Sequence, residues 1–133
     1  MDASQLTEFG RRYAAAWCSQ DAASVAEFFS ANGSLQINGG IPAVGRTAIA
    51  AAAQDFMTAF PDMVVAMDGV GFEGPGAVFH WTLTGTNTGP QGTGQFVRIS
   101  GREEWKLGPD DLVAESKGYF DQADYRRQIS GAT

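Results

Sequence analysis

The sequence predicts an α+β domain in which N-terminal helices pack on one face of a twisted, mostly antiparallel sheet. Three observations lead there. Apolar residues recur at helical spacing in the first part of the chain, through Leu6–Trp17, Val25–Phe29 and Ile49–Phe60. From Met63 onward the pattern turns to β-branched and aromatic strands. The turns between those strands are short and rich in Gly and Pro, which suits antiparallel neighbours, because parallel ones need crossovers of a dozen or more residues. Helices first and strands afterwards is an α+β layout. A length of 133 residues fits a single domain, residues 1–133, with one core.

Asp2 with Gln5 forms a capping box for a first helix whose Leu6, Phe9, Tyr13, Ala16 and Trp17 fall on one face. Asp21 caps a shorter helix with Val25, Phe28 and Phe29, and Asn32-Gly33 is expected to stop it. Ser34–Asn38 alternates as a short strand, and residues 39–45 form a Gly/Pro loop. A third helix opens at Arg46 or Thr47 and presents Ile49, Ala52, Ala53, Phe56, Met57 and Phe60 until Pro61 closes it. Four longer strands follow, over residues 63–72, 77–88, 94–106 and 112–120, and one or two helical turns end the chain.

Composition excludes several function classes. Apolar residues make up 44% and charged residues 18%, and no apolar run approaches the ~18 residues of a membrane span. Net charge of -6, with Arg11-Arg12 and Arg126-Arg127 as the only basic pairs, argues against nucleic acid and anionic lipid as partners. The first residues carry acid before base and lack an apolar signal core, so a cytoplasmic location is expected. One Cys and one His leave no zinc site of the usual kind, and no metal is expected. Cys18, beside Trp17 on a helical face, reads as a small buried hydrophobe.

The acid at the joint of the last strand and helix, Asp121, has two readings. As a cap, its side chain accepts from free N–H groups of the first helical turn. As a general acid/base, it stands at the mouth of an apolar pocket, where burial would tune it for proton transfer. Strand parity puts Tyr119 and Asp121 on one face and Phe120 on the other. His80 is the candidate partner for that carboxylate, since histidine ordinarily titrates near neutrality. Its parity groups it with Thr82 and Thr84, opposite Phe79 and Trp81, so a place on the outer sheet face competes with a catalytic one. Glu103-Glu104 reads as solvated, yet one of the two must alternate inward. Trp17, Phe56, Phe60, Trp81 and Trp105 are candidates for core and for the walls of a cavity between helices and sheet. Tyr13, Trp17 and Tyr119, apolar bodies with polar tips, are the first choices for that wall.

Several short motifs then fall into a known order. Gly85-Thr86-Asn87-Thr88-Gly89 followed by Thr93-Gly94 resembles the G-T-H-x-G … P-T-G-R hairpin of the SnoaL-like polyketide cyclase family. Phe60-Pro61-Asp62-Met63 resembles its F-P-D-[LM], and Glu115, Asp121 and Gln128-Ile129 resemble its closing E-x(5)-D-x(6)-Q-[LI]. The resemblance covers nearly the whole chain. It implies a cone-shaped α+β fold with a strongly curved sheet and helices on its concave face, as in nuclear transport factor 2, ketosteroid isomerase and limonene epoxide hydrolase. It further implies a homodimer, a small hydrophobic ligand, no cofactor, and an aspartate at Asp121 acting as acid/base in a cyclisation or isomerisation of a small hydrophobic carbonyl compound. The alternative is a ligand-binding or dimeric interaction module of the same fold. Asn87, Gln95 and Lys117 depart from the family's common His, Arg and Trp. The isomerase pairing of a tyrosine with a protonated acid finds a tyrosine in Tyr13 but no convincing second acid.

Overall fold

In the computed structural model, which describes residues 1–131, Asp2 starts helix α1 (Ala3–Cys18) as its side chain predicts. It accepts from the Gln5 backbone N–H at 2.8 Å, and the Gln5 side chain returns the bond to the Asp2 N–H. Asp21 caps α2 (Ala22–Ala26) through the Ala23 N–H. Next come β1 (Phe29–Ile37), β2 (Ala43–Val44), α3 (Arg46–Ala59), β3 (Val64–Glu73), β4 (Gly76–Thr86), β5 (Phe96–Leu107), β6 (Val113–Phe120) and α4 (Gln122–Ser130).

The six strands form one open sheet in the order β2-β1-β6-β5-β4-β3. All neighbours run antiparallel except β1 and β6, which are parallel. The consecutive hairpins β3-β4-β5-β6 are the meander that the short turns predict. The parallel β1–β6 pair joins segments far apart in sequence, which local patterning does not reveal. α1 packs on β3 and α2 packs on α3, so the helices cover one face of the sheet. The core lies between them, with Leu6 and Tyr13 from α1, Ile49 and Met57 from α3, and Phe79 and Val97 from the sheet, each 1% exposed or less. Full burial of such side chains stabilises the fold by roughly 1.5–3 kcal/mol apiece.

Two local expectations change. Asn32-Gly33 does not stop a helix: α2 ends at Ala26, Phe29 already pairs with Val113, and Gly33 lies inside β1 where the β1–β6 register shifts. A Cβ on Gly33 would lie 2.9 Å from the Val113 carbonyl oxygen, so glycine there permits the close approach of β1 to β6. The loop of residues 39–45 also contains a short strand, β2, which pairs with β1 through Leu35 and Ala43. Among the described residues, no helix is long and apolar enough to cross a membrane.

Candidate functional site

Along β5 the inward side chains are Val97, Ile99, Glu103 and Trp105, and the outward ones are Arg98, Ser100, Arg102, Glu104 and Lys106. This alternation takes Glu103 into the core, where it is 6% exposed, and leaves Glu104 outside in an ion pair with Arg102. Three donors meet one of its oxygens. Oε1 accepts from Tyr13 Oη at 3.0 Å, from Trp105 Nε1 at 3.1 Å and from Ser116 Oγ at 2.6 Å. Among the described residues no donor meets Oε2.

Burial pushes the Glu103 carboxyl above its ordinary value, against the pull of the Ser116, Trp105 and Tyr13 donors, which favour the ionised form. The Tyr13 hydroxyl is raised well above 10.0, first by burial and then by the charge of Glu103. Tyr13 therefore stays a neutral donor across the working range. Tyr13 and Glu103 thus form a buried tyrosine–carboxyl pair, but Tyr13 gives its O–H to Glu103, whereas in the isomerase arrangement tyrosine and protonated acid both donate to the substrate oxygen. Glu115 does not share this environment: it faces outward, and Lys106 and Lys117 hold its carboxyl below the ordinary value.

Glu103 lines a cavity of about 60 Å³ between helices and sheet. Trp17, Phe56, Phe79, Trp81 and Phe120 supply its aromatic wall, and Leu35, Ile37 and Ile99 supply aliphatic patches. Phe56, Trp81 and Phe120 are only partly buried and stand at its outer side. Trp81 reaches its place because β5 has Gly101 opposite it, where a Cβ would lie 2.5 Å from the indole ring. The rings meet nearly at right angles, Trp17 to Phe56 at 6.2 Å and Trp81 to Phe120 at 6.0 Å.

Of the sequence-predicted wall residues, Trp17, Phe56 and Trp81 line this cavity. Tyr13 and Trp105 lie behind it and hold Glu103. Phe60 is fully buried and packs near Tyr125 of α4. Tyr119 lies on the other face of the sheet, with the Arg102 guanidinium 4.5 Å from its ring centre.

The structure does not bring Asp121 and His80 into the cavity. Asp121 is exposed and caps α4 by accepting from the Asp124 N–H at 3.0 Å. His80 is exposed on the outer sheet face. The two border an open depression there with Arg102, Ser100 and Tyr119. The physical cause is a register shift. Lys106 pairs with Glu115 but Leu107 pairs with Val113, which skips Ala114, so Ser116 and Gly118 are buried and Tyr119 and Asp121 turn outward.

The motif residues have structural duties. Asp62 accepts from the Thr86 N–H at 2.7 Å, which holds its carboxyl below the ordinary value. Asn87 is buried, accepts from the Thr93 N–H and donates to the Ala59 carbonyl, so it ties the β4–β5 connection to the end of α3. Gln128 pairs with both backbone groups of Arg98 and docks α4 on β5. Among the described residues, no group of three or more His, Cys, Asp or Glu side chains is placed to hold a metal ion.

Many solved structures share this architecture. TsrD from Streptomyces laurentii is 18% identical, with a TM-score of 0.83 over 97% of this chain and 97% of its own. A protein of ketosteroid isomerase-like fold from Catenulispora acidiphila, solved with trimethylamine, is 15% identical, with a TM-score of 0.81 over 95% of this chain and 94% of its own. The epoxide hydrolase/cyclase-like enzyme SalBIII, described in pyran ring formation in the polyether salinomycin, is 18% identical, with a TM-score of 0.76 over 92% and 95%. At such identities the likeness shows a shared fold. No curated protein sequence matches this chain. The model of the SnoaL-like polyketide cyclases matches residues 7–129, nearly the whole length, and the chain belongs to that family.

Proposed function

We propose that this protein is a cofactor-independent acid/base enzyme for a small hydrophobic carbonyl compound, of cyclase or isomerase type, with Glu103 as its proton carrier. The observation that carries the reading is the position of Glu103. Among the described residues it is the one ionisable side chain lining an aromatic cavity, its Oε1 is fixed by three donors and its Oε2 is left for a substrate. Ionised, Oε2 would take a proton from the carbon next to a carbonyl while the C–H electron pair moves into the carbonyl to give an enolate. Protonated, the same oxygen would return that proton to carbon or to oxygen. The rings of Trp17, Phe56 and Trp81 would hold the substrate and exclude water.

Cavity size sets the substrate class. An apolar cavity of about 150 Å³ takes benzene, so about 60 Å³ suits a compound of a few heavy atoms. A fused ring system would require Phe56, Trp81 and Phe120 to move apart. A second reading, a binding module without turnover, is favoured by the single acid, because many isomerisations use two groups. The homodimer that the family resemblance implies is part of the proposal. The sheet face that the helices leave open bears Val64, 52% exposed, and Phe96, 62% exposed, and would serve as its interface.

Proton exchange tests the chemistry. Acetone and butanone incubated in D₂O should lose their α-hydrogen NMR signals faster with the protein than without it, and Glu103→Gln should abolish the gain. Equal rates with and without protein, for these and for larger cyclic ketones, would leave the binding module as the better account.

A further inference from the structure

The cavity around Glu103 has a composition that a neutral carbonyl compound does not fully use. Among the described residues its lining has no Lys, Arg or His, while Trp17, Phe56, Phe79, Trp81 and Phe120 surround one carboxyl group. Such an arrangement suits positive charge. The faces of aromatic rings are electron-rich and attract ammonium groups, the more so where water is excluded. A carboxylate in an apolar hollow is itself poorly solvated, and a cation that follows it inside compensates both charges. The net charge of -6 adds a field that concentrates cations around the molecule.

We infer that the Glu103 cavity binds small alkylammonium cations, with the N–H directed at Oε2 and the alkyl groups against Trp17, Phe56 and Trp81. This deepens the proposed function by naming a ligand class for the same cavity. It rests on the position of Glu103 and not on turnover, so ketone exchange can fail while cation binding holds, and the reverse. Size is the second constraint. With about 60 Å³ available, trimethylammonium fits the class, whereas ring-bearing amines need more room. Three donors on Oε1 fix the carboxyl in place, so little ordering remains to be done when the cation arrives.

The probe is trimethylammonium chloride, compared with tert-butanol as a neutral molecule of similar size, at matched ionic strength with sodium chloride. Affinity is read from NMR shifts of the Trp17 and Trp81 indole N–H signals. Trimethylammonium should bind about tenfold tighter than tert-butanol or better, and Glu103→Gln should erase that preference. Trp81→Leu, a change at a partly exposed position, should weaken the cation by about 2- to 30-fold while altering tert-butanol less. This second variant keeps the test decisive if Glu103→Gln does not fold. Equal binding of the two probes, an unchanged preference in either variant, or shifts confined to the outer-face residues around Arg102 and Glu104 would overturn the inference. Failure of either probe to move the indole signals would overturn it as well.

Discussion

Tyr13 Oη lies 3.0 Å from Glu103 Oε1, joining the middle of α1 to the central strand β5 across the core. Both side chains are almost completely buried, at 0% and 6% exposure. A polar contact so placed is costly to leave half made, since a buried acceptor deprived of its donor loses hydrogen bonding without regaining water. Tyr13→Phe keeps the ring and removes the donor. It should destabilise the protein by about 1–2 kcal/mol in denaturant unfolding and raise the Glu103 carboxyl further, because the lost bond favours the ionised form.

The pH dependence of stability follows from the same carboxyl. Below its ordinary value of 4.5, Glu103 is protonated in folded and unfolded chains alike, and its contribution is fully present. As pH rises past that value, the unfolded chain gives up a proton that the folded chain still holds, and the contribution declines until the raised folded value is passed. Glu103→Gln removes this titration. The stability of the natural protein relative to that variant should therefore be greatest near pH 4 and fall toward neutrality, as read by urea unfolding at a series of pH values. A difference independent of pH would contradict the burial of an ionisable group at this position.

Asp121→Ala should separate the cap from the chemistry. Loss of the N-cap costs about 1 kcal/mol, and α4 has no buried residue, so the effect should appear as faster amide exchange within Gln122–Ser130. Ketone exchange by the natural protein and by this variant should agree within about twofold, because the Asp121 side chain is exposed beyond the cavity. A loss of the whole exchange activity would return the acid/base role to Asp121.

Phe56→Ala opens the cavity from its outer side. Phe56 is only partly buried, so the cost should stay below the roughly 3–5 kcal/mol of a fully buried Phe→Ala change. Larger ketones should gain in exchange rate relative to acetone, measured by competition in one NMR sample.

Phe96→Asp tests the open sheet face. If two copies meet there, a charge in place of an apolar side chain that is 62% exposed should convert the dimer to a monomer in sedimentation experiments. A dimer that persists would place the interface elsewhere.

Much of the fold could be read from the chain because its signals are local. The Asp2 capping box, the Asp21 cap, Pro61 after α3 and the Gly/Pro turns between strands each act within a few residues, and the structure follows them. The parallel β1–β6 pair could not be read this way, and Gly33 misled because glycine serves helix ends and close strand contacts equally well. The site divides along the same line. Sequence parity left open which of Glu103 and Glu104 turns inward, although Ile99 and Trp105, both apolar and an even number of residues from Glu103, carry the signal that separates them. The skipped Ala114 on β6 carries no marker in the sequence, and it directs Tyr119 and Asp121 away from the cavity. The family's closing motif thus drew attention to a carboxylate that caps a helix, while the one facing the cavity lies on β5.

The most direct measurement is the titration of the Glu103 side-chain carboxyl carbon by NMR, with and without a bound small ligand. A midpoint above 4.5 that moves when the cavity is occupied is the predicted result. A midpoint at or below 4.5, indifferent to ligand, would contradict a buried acid open to the cavity and with it the proposed chemistry.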